Sequence, residues 1–232
     1  MEFLPYRNTH WEKELPMTED TTMSTDQVWQ AVAAERAGLA ALLAPLTEAD
    51  WDHPSLCDGW RVRDVVAHVV LSARVDVGWI LVNLIRAGGR LHLAIRDTAV
   101  RHADQVTTGQ LLDELRDSID ARVTAFGTTP ADRLMDLLVH GQDIALPLGI
   151  TREMPKAATV VALDRIWTTG GPFHARRRFA GCRLVATDTE WAVGAGPIIT
   201  GPAAALLLAV TGRRQGWDQI TGDAPTLLAK RA

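Results

Sequence analysis

Cysteine is nearly absent from this chain: 232 residues contain two, Cys57 and Cys182. Two thiols make no disulfide framework, and they suit a reducing, cytoplasmic setting. Blocks of like charge are also missing. The net charge is −4, and without a basic stretch no nucleic-acid surface is expected. No apolar run is long enough to span a bilayer, so no membrane partner is expected. The N-terminus lacks the apolar segment of a signal peptide. There is no fixed-period repeat and no low-complexity tract. What remains is an ordinary globular composition, 47% hydrophobic and 22% charged, long enough to bury a sizeable core without a disulfide or a structural metal.

Residues 1–23 are polar, carry two prolines and show no sustained periodicity; they read as a loose extension. Ser24-x-x-Gln27 is a capping-box pattern and opens a helix to about Ala44, which Pro45 ends. Residues 47–59 read as a loop. A second helix starts near Val62 and runs to about Arg86, where Gly88-Gly89 stops it. Residues 90–106 are ambiguous. A third helix is expected over 108–126, with Leu111, Leu112, Leu115, Ile119 and Val123 inward and Gly127 after it. Thr129-Pro130-x-Asp132 then starts a helix that ends at Pro147 or Gly149. Four helices with short connections predict a four-helix bundle over 24–150. After residue 150 the pattern changes. A linking helix is expected over 155–168, and short strands over 178–187 and 190–193 around Asp188-Thr189. Gly201-Pro202 opens a helix over 203–210. Another strand is expected over 217–221 and a last helical turn over 226–230. Residues 151–232 therefore read as a small α+β domain, and the fold class as mainly α.

Two stretches of the bundle share one pattern, Asp-x-x-x-His: Asp64 to His68 and Asp136 to His140. Residues four apart stack on one face of a helix. Stepping about 100° per residue puts both pairs on a flank of an apolar stripe. The stripes are Val62, Val65, Val66 and Val69 in one helix, and Leu134, Leu137, Leu138 and Ile144 in the other. A flank is where a cleft between helices finds ligands for a metal. Taken alone, such a pair is a solvated helix contact worth about 0.2–0.5 kcal/mol. Asp143, three residues after His140, is either a surface acid or a group that orients a ligand. Arg213 is either a solvated arginine at a helix C-terminus or a bidentate clamp for a carboxylate. Asp143 and Arg213 are the candidate catalytic residues. Cys57 reads as packing beside Trp60. Asp64, in the first turn of its helix, reads as favouring the helix dipole rather than as a ligand. Arg176, Arg177 and Arg178 read as solvated surface.

The run Trp51-x-x-Pro54-Ser55-x-Cys57-x-Gly59-Trp60-x-Val62-Arg63-Asp64-Val65-Val66-Ala67-His68 resembles the N-terminal domain of the mycothiol-dependent maleylpyruvate isomerase family, which belongs to the DinB-like four-helix bundles. Residues 136–149 resemble the family's second metal-binding helix. Residues 183–223 resemble its small C-terminal domain more loosely. The resemblance implies a divalent metal, usually zinc, held by His68, Asp136 and His140, with mycothiol as cofactor. The family's isomerases have Glu where this chain has Asp136, which is one methylene shorter. Three protein ligands and an open position is the catalytic zinc arrangement. A thiol bound there is deprotonated. It can add to an electrophilic double bond, giving cis–trans isomerisation after elimination or S-transfer without it. The other readings are a non-catalytic metal-binding module and a metal-dependent hydrolase. The expected partners are a small thiol and a small electrophile, in a monomer or homodimer.

Overall fold

The structure, a computed structural model, describes residues 23–74, 91–125 and 127–222. The loose extension (through residue 22), the stop at Gly88-Gly89 and the last turn at 226–230 lie outside the described residues. Among the described residues, the helices of the first part are α1 (Thr25–Leu43), α2 (Glu48–Trp51), α3 (Val62–Ser72), α4 (Leu91–Gln105), α5 (Thr108–Asp117) and α6 (Pro130–Ala145). α3 packs against α4, α5 and α6, and α1 packs against α5 and α6. This is the bundle the periodicity predicts, with α4 filling the stretch left ambiguous.

The starts follow local chemistry. Ser24 accepts from the Gln27 amide, and Gln27 returns a bond to the Ser24 amide at 2.7 Å. Thr47 and Asp50 make the same reciprocal box, and so α2 stands where a loop was expected. α3 is capped by Asp64, whose carboxylate accepts from the Arg61 amide at 2.8 Å and holds the Arg61 guanidinium. Asp64 is buried and committed there, which agrees with its reading as a non-ligand. Val62, Val65, Val66 and Val70 of α3 are fully buried, Leu134, Leu138 and Ile144 of α6 are buried in the same core, and the two helices pack. Each such side chain contributes about 1.5–3 kcal/mol through burial. The two stripes therefore fix how α3 and α6 face each other, and their flanks come along.

Two expected boundaries differ: α3 ends at Ser72 rather than near Arg86, and the end of α5 differs for an identifiable reason. α5 ends at Asp117, not near 126. Arg36 of α1 is buried and donates from one Nη1 to the carbonyls of Ser118 and Ala121, both at 2.7 Å. These bonds cap the helix from outside and hold the chain in an irregular path through 121–125.

The second part contains α7 (Lys156–Thr169), α8 (Ala175–Arg178), α9 (Ala203–Val210) and a 3-10 turn at Trp217–Gln219. A four-stranded sheet has the order β2-β1-β3-β4, with β1 (Arg183–Ala186), β2 (Ala192–Gly194), β3 (Ile198–Gly201) and β4 (Thr221–Gly222). β1 pairs antiparallel with β2 and parallel with β3, in the register Leu184 to Ile199. β3 and α8 were not expected, and the strand expected over 217–221 shrinks to two residues after the 3-10 turn. α7 lies between α6 and α9. Arg165 of α7 donates to Asp132 of α6 at 2.7 Å. Buried apolar residues of both parts form one continuous cluster, from Val28 to Ile220.

Candidate functional site

His68 lies near the middle of α3 and His140 four residues after Asp136 on α6. Because the valine and leucine stripes pack, the two flanks close on each other. His68 Nε2 is 3.4 Å from both Asp136 oxygens, and His140 Nε2 is 3.4 Å from Asp136 Oδ1. The two imidazole centroids are 5.0 Å apart, edge to face. One ligand atom from each of the three residues lies within 4.8 Å of the others. Zinc bonds of about 2.0–2.2 Å put the ligands of a tetrahedron about 3.3–3.6 Å apart, so the donor set fits a metal of that size. All three side chains keep partial access to solvent, between 15 and 22%. That leaves a way in for a further ligand.

The charges agree with a site built for a cation. Burial works against ionisation of Asp136, but the charges and hydrogen bonds of His68 and His140 outweigh it and hold its carboxyl well below the usual range. Burial works equally against a charged His140, yet the carboxylates of Asp136 and Asp143 raise its pKa well above the ordinary value.

Behind His140 is a second layer. Its Nδ1 is 2.9 Å from Asp143 Oδ2. Asp143 is fully buried and also takes two bonds from Arg213, Nε to Oδ1 at 3.0 Å and Nη2 to Oδ2 at 2.7 Å. Burial pushes the Asp143 carboxyl up, but these partners bring it down to about 2. Both candidate catalytic residues are thus in contact with each other, and Asp143 is in contact with a candidate metal ligand.

Cys57 was expected to be packing; it does pack against the core, and the structure adds polar contacts that the sequence does not show. Its Sγ donates to Asp143 Oδ2 at 3.1 Å and lies 3.6 Å from His140 Nδ1. The loop from His53 to Trp60 explains this. The Ser55 amide donates to the Trp60 carbonyl, the Val62 amide to the His53 carbonyl, and the Leu56 amide to the carbonyl of Asp143. Gly59, at φ +71°, makes the reversal possible. The loop is thereby laid over α6, and Trp60 covers both imidazoles, 5.5 Å from His68 and 6.4 Å from His140. Sequence reasoning paired Cys57 only with Trp60 because its partners are more than eighty residues away.

The remaining histidines described fall outside the cluster; His102 is bound to Glu114 at 2.7 Å. A cleft of about 470 Å³ between α1 and residues 150–155 shares no lining residue with the cluster, so volume alone does not mark this site.

Residues 32–136 match the family described as the mycothiol maleylpyruvate isomerase N-terminal domain. The resemblance to that family holds. The matched segment contains His68 and ends at Asp136. The chain is also similar to the crystal structure of the mycothiol-dependent maleylpyruvate isomerase, with a TM-score of 0.62 and 17% identity over 87% of this chain and 93% of that one. A histidine-to-alanine mutant of that enzyme gives 0.61 and 16% over the same shares. At this identity the likeness speaks for the fold: a bundle followed by a small α+β part. Comparison with curated proteins gives no match.

Proposed function

We propose that this chain is an enzyme that holds a divalent metal through His68, Asp136 and His140 and uses it to activate a low-molecular-weight thiol toward a small electrophile. The observation that carries the reading is the convergence of two imidazole nitrogens and one carboxylate at 3.4 Å edges on two helices. Bound there, zinc would act as a Lewis acid that makes a thiol nucleophilic at neutral pH. Asp136 supplies the negative charge that balances the cation. Trp60 gives the cleft an apolar wall over both imidazoles. The match to the mycothiol maleylpyruvate isomerase N-terminal domain favours mycothiol as the thiol and isomerisation of a conjugated double bond as the reaction. S-transfer is the alternative outcome of the same addition, decided by whether the second substrate can eliminate the thiol. Hydrolysis is less well served. The two acids that the sequence offers as general bases are committed, Asp64 to Arg61 and Asp143 to Arg213.

We also propose that residues 24–150 and 151–232 are two units packed together, joined by α7 against α6 and by Arg213 on Asp143. No described helix is long and apolar enough to cross a membrane.

Metal analysis combined with a thermal-shift series on the metal-loaded protein tests the function. Zinc should copurify at one per chain, and mycothiol should raise the melting temperature. If mycothiol, glutathione and bacillithiol all leave it unmoved, the thiol reading fails.

A further inference from the structure

We propose that Arg213 is a positioning residue for the metal: it grips the carboxylate that aims His140, so the C-terminal part of the chain sets the affinity of a site whose ligands all lie in the bundle. The inference rests on the metal reading above. Asp143 Oδ2 receives three donors, from Arg213 Nη2 at 2.7 Å, His140 Nδ1 at 2.9 Å and Cys57 Sγ at 3.1 Å. Its other oxygen takes Arg213 Nε at 3.0 Å. Arg213 Nη1 is spent on the carbonyl of Thr211, at 3.0 Å, which ties the guanidinium to the end of α9. The Phe173 ring lies 5.9 Å from the guanidinium carbon.

This arrangement is a chain of contacts with one output. A carboxylate on Nδ1 fixes that nitrogen as the donor and leaves the Nε2 lone pair toward Asp136 and His68. Asp143 alone would not be held, because an aspartate turns about two side-chain bonds. The planar fork of Arg213 removes that freedom by binding both oxygens at once. Partners of this kind behind a ligating histidine are worth about 10–100-fold in metal affinity. The carboxylate-binding role first considered for Arg213 is filled by a carboxylate of the protein itself.

The test is zinc affinity of the full chain, read by competition with a chromophoric chelator rather than by activity. Arg213→Met should weaken zinc by about 10–100-fold. Arg213→Lys should recover part of the loss, because an ammonium keeps the charge without the fork. Asp143→Asn should cost a similar factor. The double variant, which buries no uncompensated charge, should bind no more weakly than Asp143→Asn alone. Wild-type affinity in folded Arg213→Met overturns the inference, and so does full additivity in the double variant. If Arg213→Met does not fold, the double variant decides: zinc bound as tightly as by wild type overturns the proposal. His68→Ala separates the two levels. Zinc retained by His68→Ala sinks the metal reading. Zinc lost there but kept by the Arg213 variants sinks only the positioning role.

Discussion

His68→Ala is the perturbation that most directly weighs the candidate metal site against a plain helix contact. Its cost to the metal-free protein should be small. The valines that flank it on α3 stay buried, and the bond lost is a long one, 3.4 Å to Asp136. A typical hydrogen bond contributes about 0.5–1.5 kcal/mol, so about 1 kcal/mol is expected. Asp136 keeps His140 as a partner. The cost in the presence of zinc should be much larger. At a hundredfold excess over its dissociation constant, a ligand that binds only the folded state adds about 2.7 kcal/mol. For a chain of this size, 1 kcal/mol moves the melting temperature by about 2–4 °C. Wild type should therefore gain about 5–11 °C with zinc, and His68→Ala close to nothing at the same concentration. Differential scanning calorimetry of both proteins, chelator-treated and zinc-loaded, reads all four values. Equal zinc shifts in the two would place the ion away from His68 and refute the three-ligand site. A metal-free loss of several kcal/mol would instead give His68 a structural role beyond its one long bond to Asp136.

Metal uptake should release protons: the carboxylates of Asp136 and Asp143 favour the protonated form of His140 against burial, and a ligating imidazole must be neutral. Calorimetric titration with zinc in two buffers of different ionisation enthalpy should show that release, with affinity falling as pH is lowered; identical heats in both buffers would contradict it. Asp143 has a folded pKa of about 2, below the ordinary aspartate value, so it is depressed on folding. Its stabilisation should be complete above about pH 4 and lost as pH falls toward 2. The difference is worth roughly 2 kcal/mol. Urea titrations across that range should show a slope that Asp143→Asn makes shallower, Asp136 supplying part of what remains. Gly141→Ala should destabilise the protein even though alanine favours helices by about 1 kcal/mol. An added Cβ would lie 2.6 Å from the Arg152 guanidinium, which is buried against Glu35, and disrupting a buried pair costs about 3–5 kcal/mol. A variant more stable than wild type in urea would show that Arg152 steps aside freely.

What the sequence made legible is what the chain decides locally. The start of α1 follows from Ser24 and Gln27, and that of α6 from Thr129, Pro130 and Asp132. The stripes of α3 and α6 follow from spacing alone. Because the stripes pack, the flanks that carry His68, Asp136 and His140 meet; the choice of these three over Asp64 on the same flank came from the family resemblance, not from spacing. α2 was equally legible, since Thr47-x-x-Asp50 is the same signal as Ser24-x-x-Gln27 in a shorter segment. The rest depended on distant partners. α5 ends where Arg36, more than eighty residues earlier, takes its last carbonyls. β3 is a short run between two Gly-Pro pairs, and it becomes a strand by pairing in parallel with β1. Asp143 and Arg213 each had a satisfactory bland reading, as a surface acid and a helix-end arginine. Neither reading survives, because each is the other's partner across 70 residues. That pair shows where single-sequence reasoning stops. Periodicity places a side chain on a face, but it does not say which charge from another part of the chain will be waiting there. A buried aspartate held by an arginine, a histidine and a thiol is costly to desolvate, and removing one of its charged partners would leave it uncompensated. Its place directly behind a candidate metal ligand is therefore better explained by what it does to His140 than by the stability it contributes.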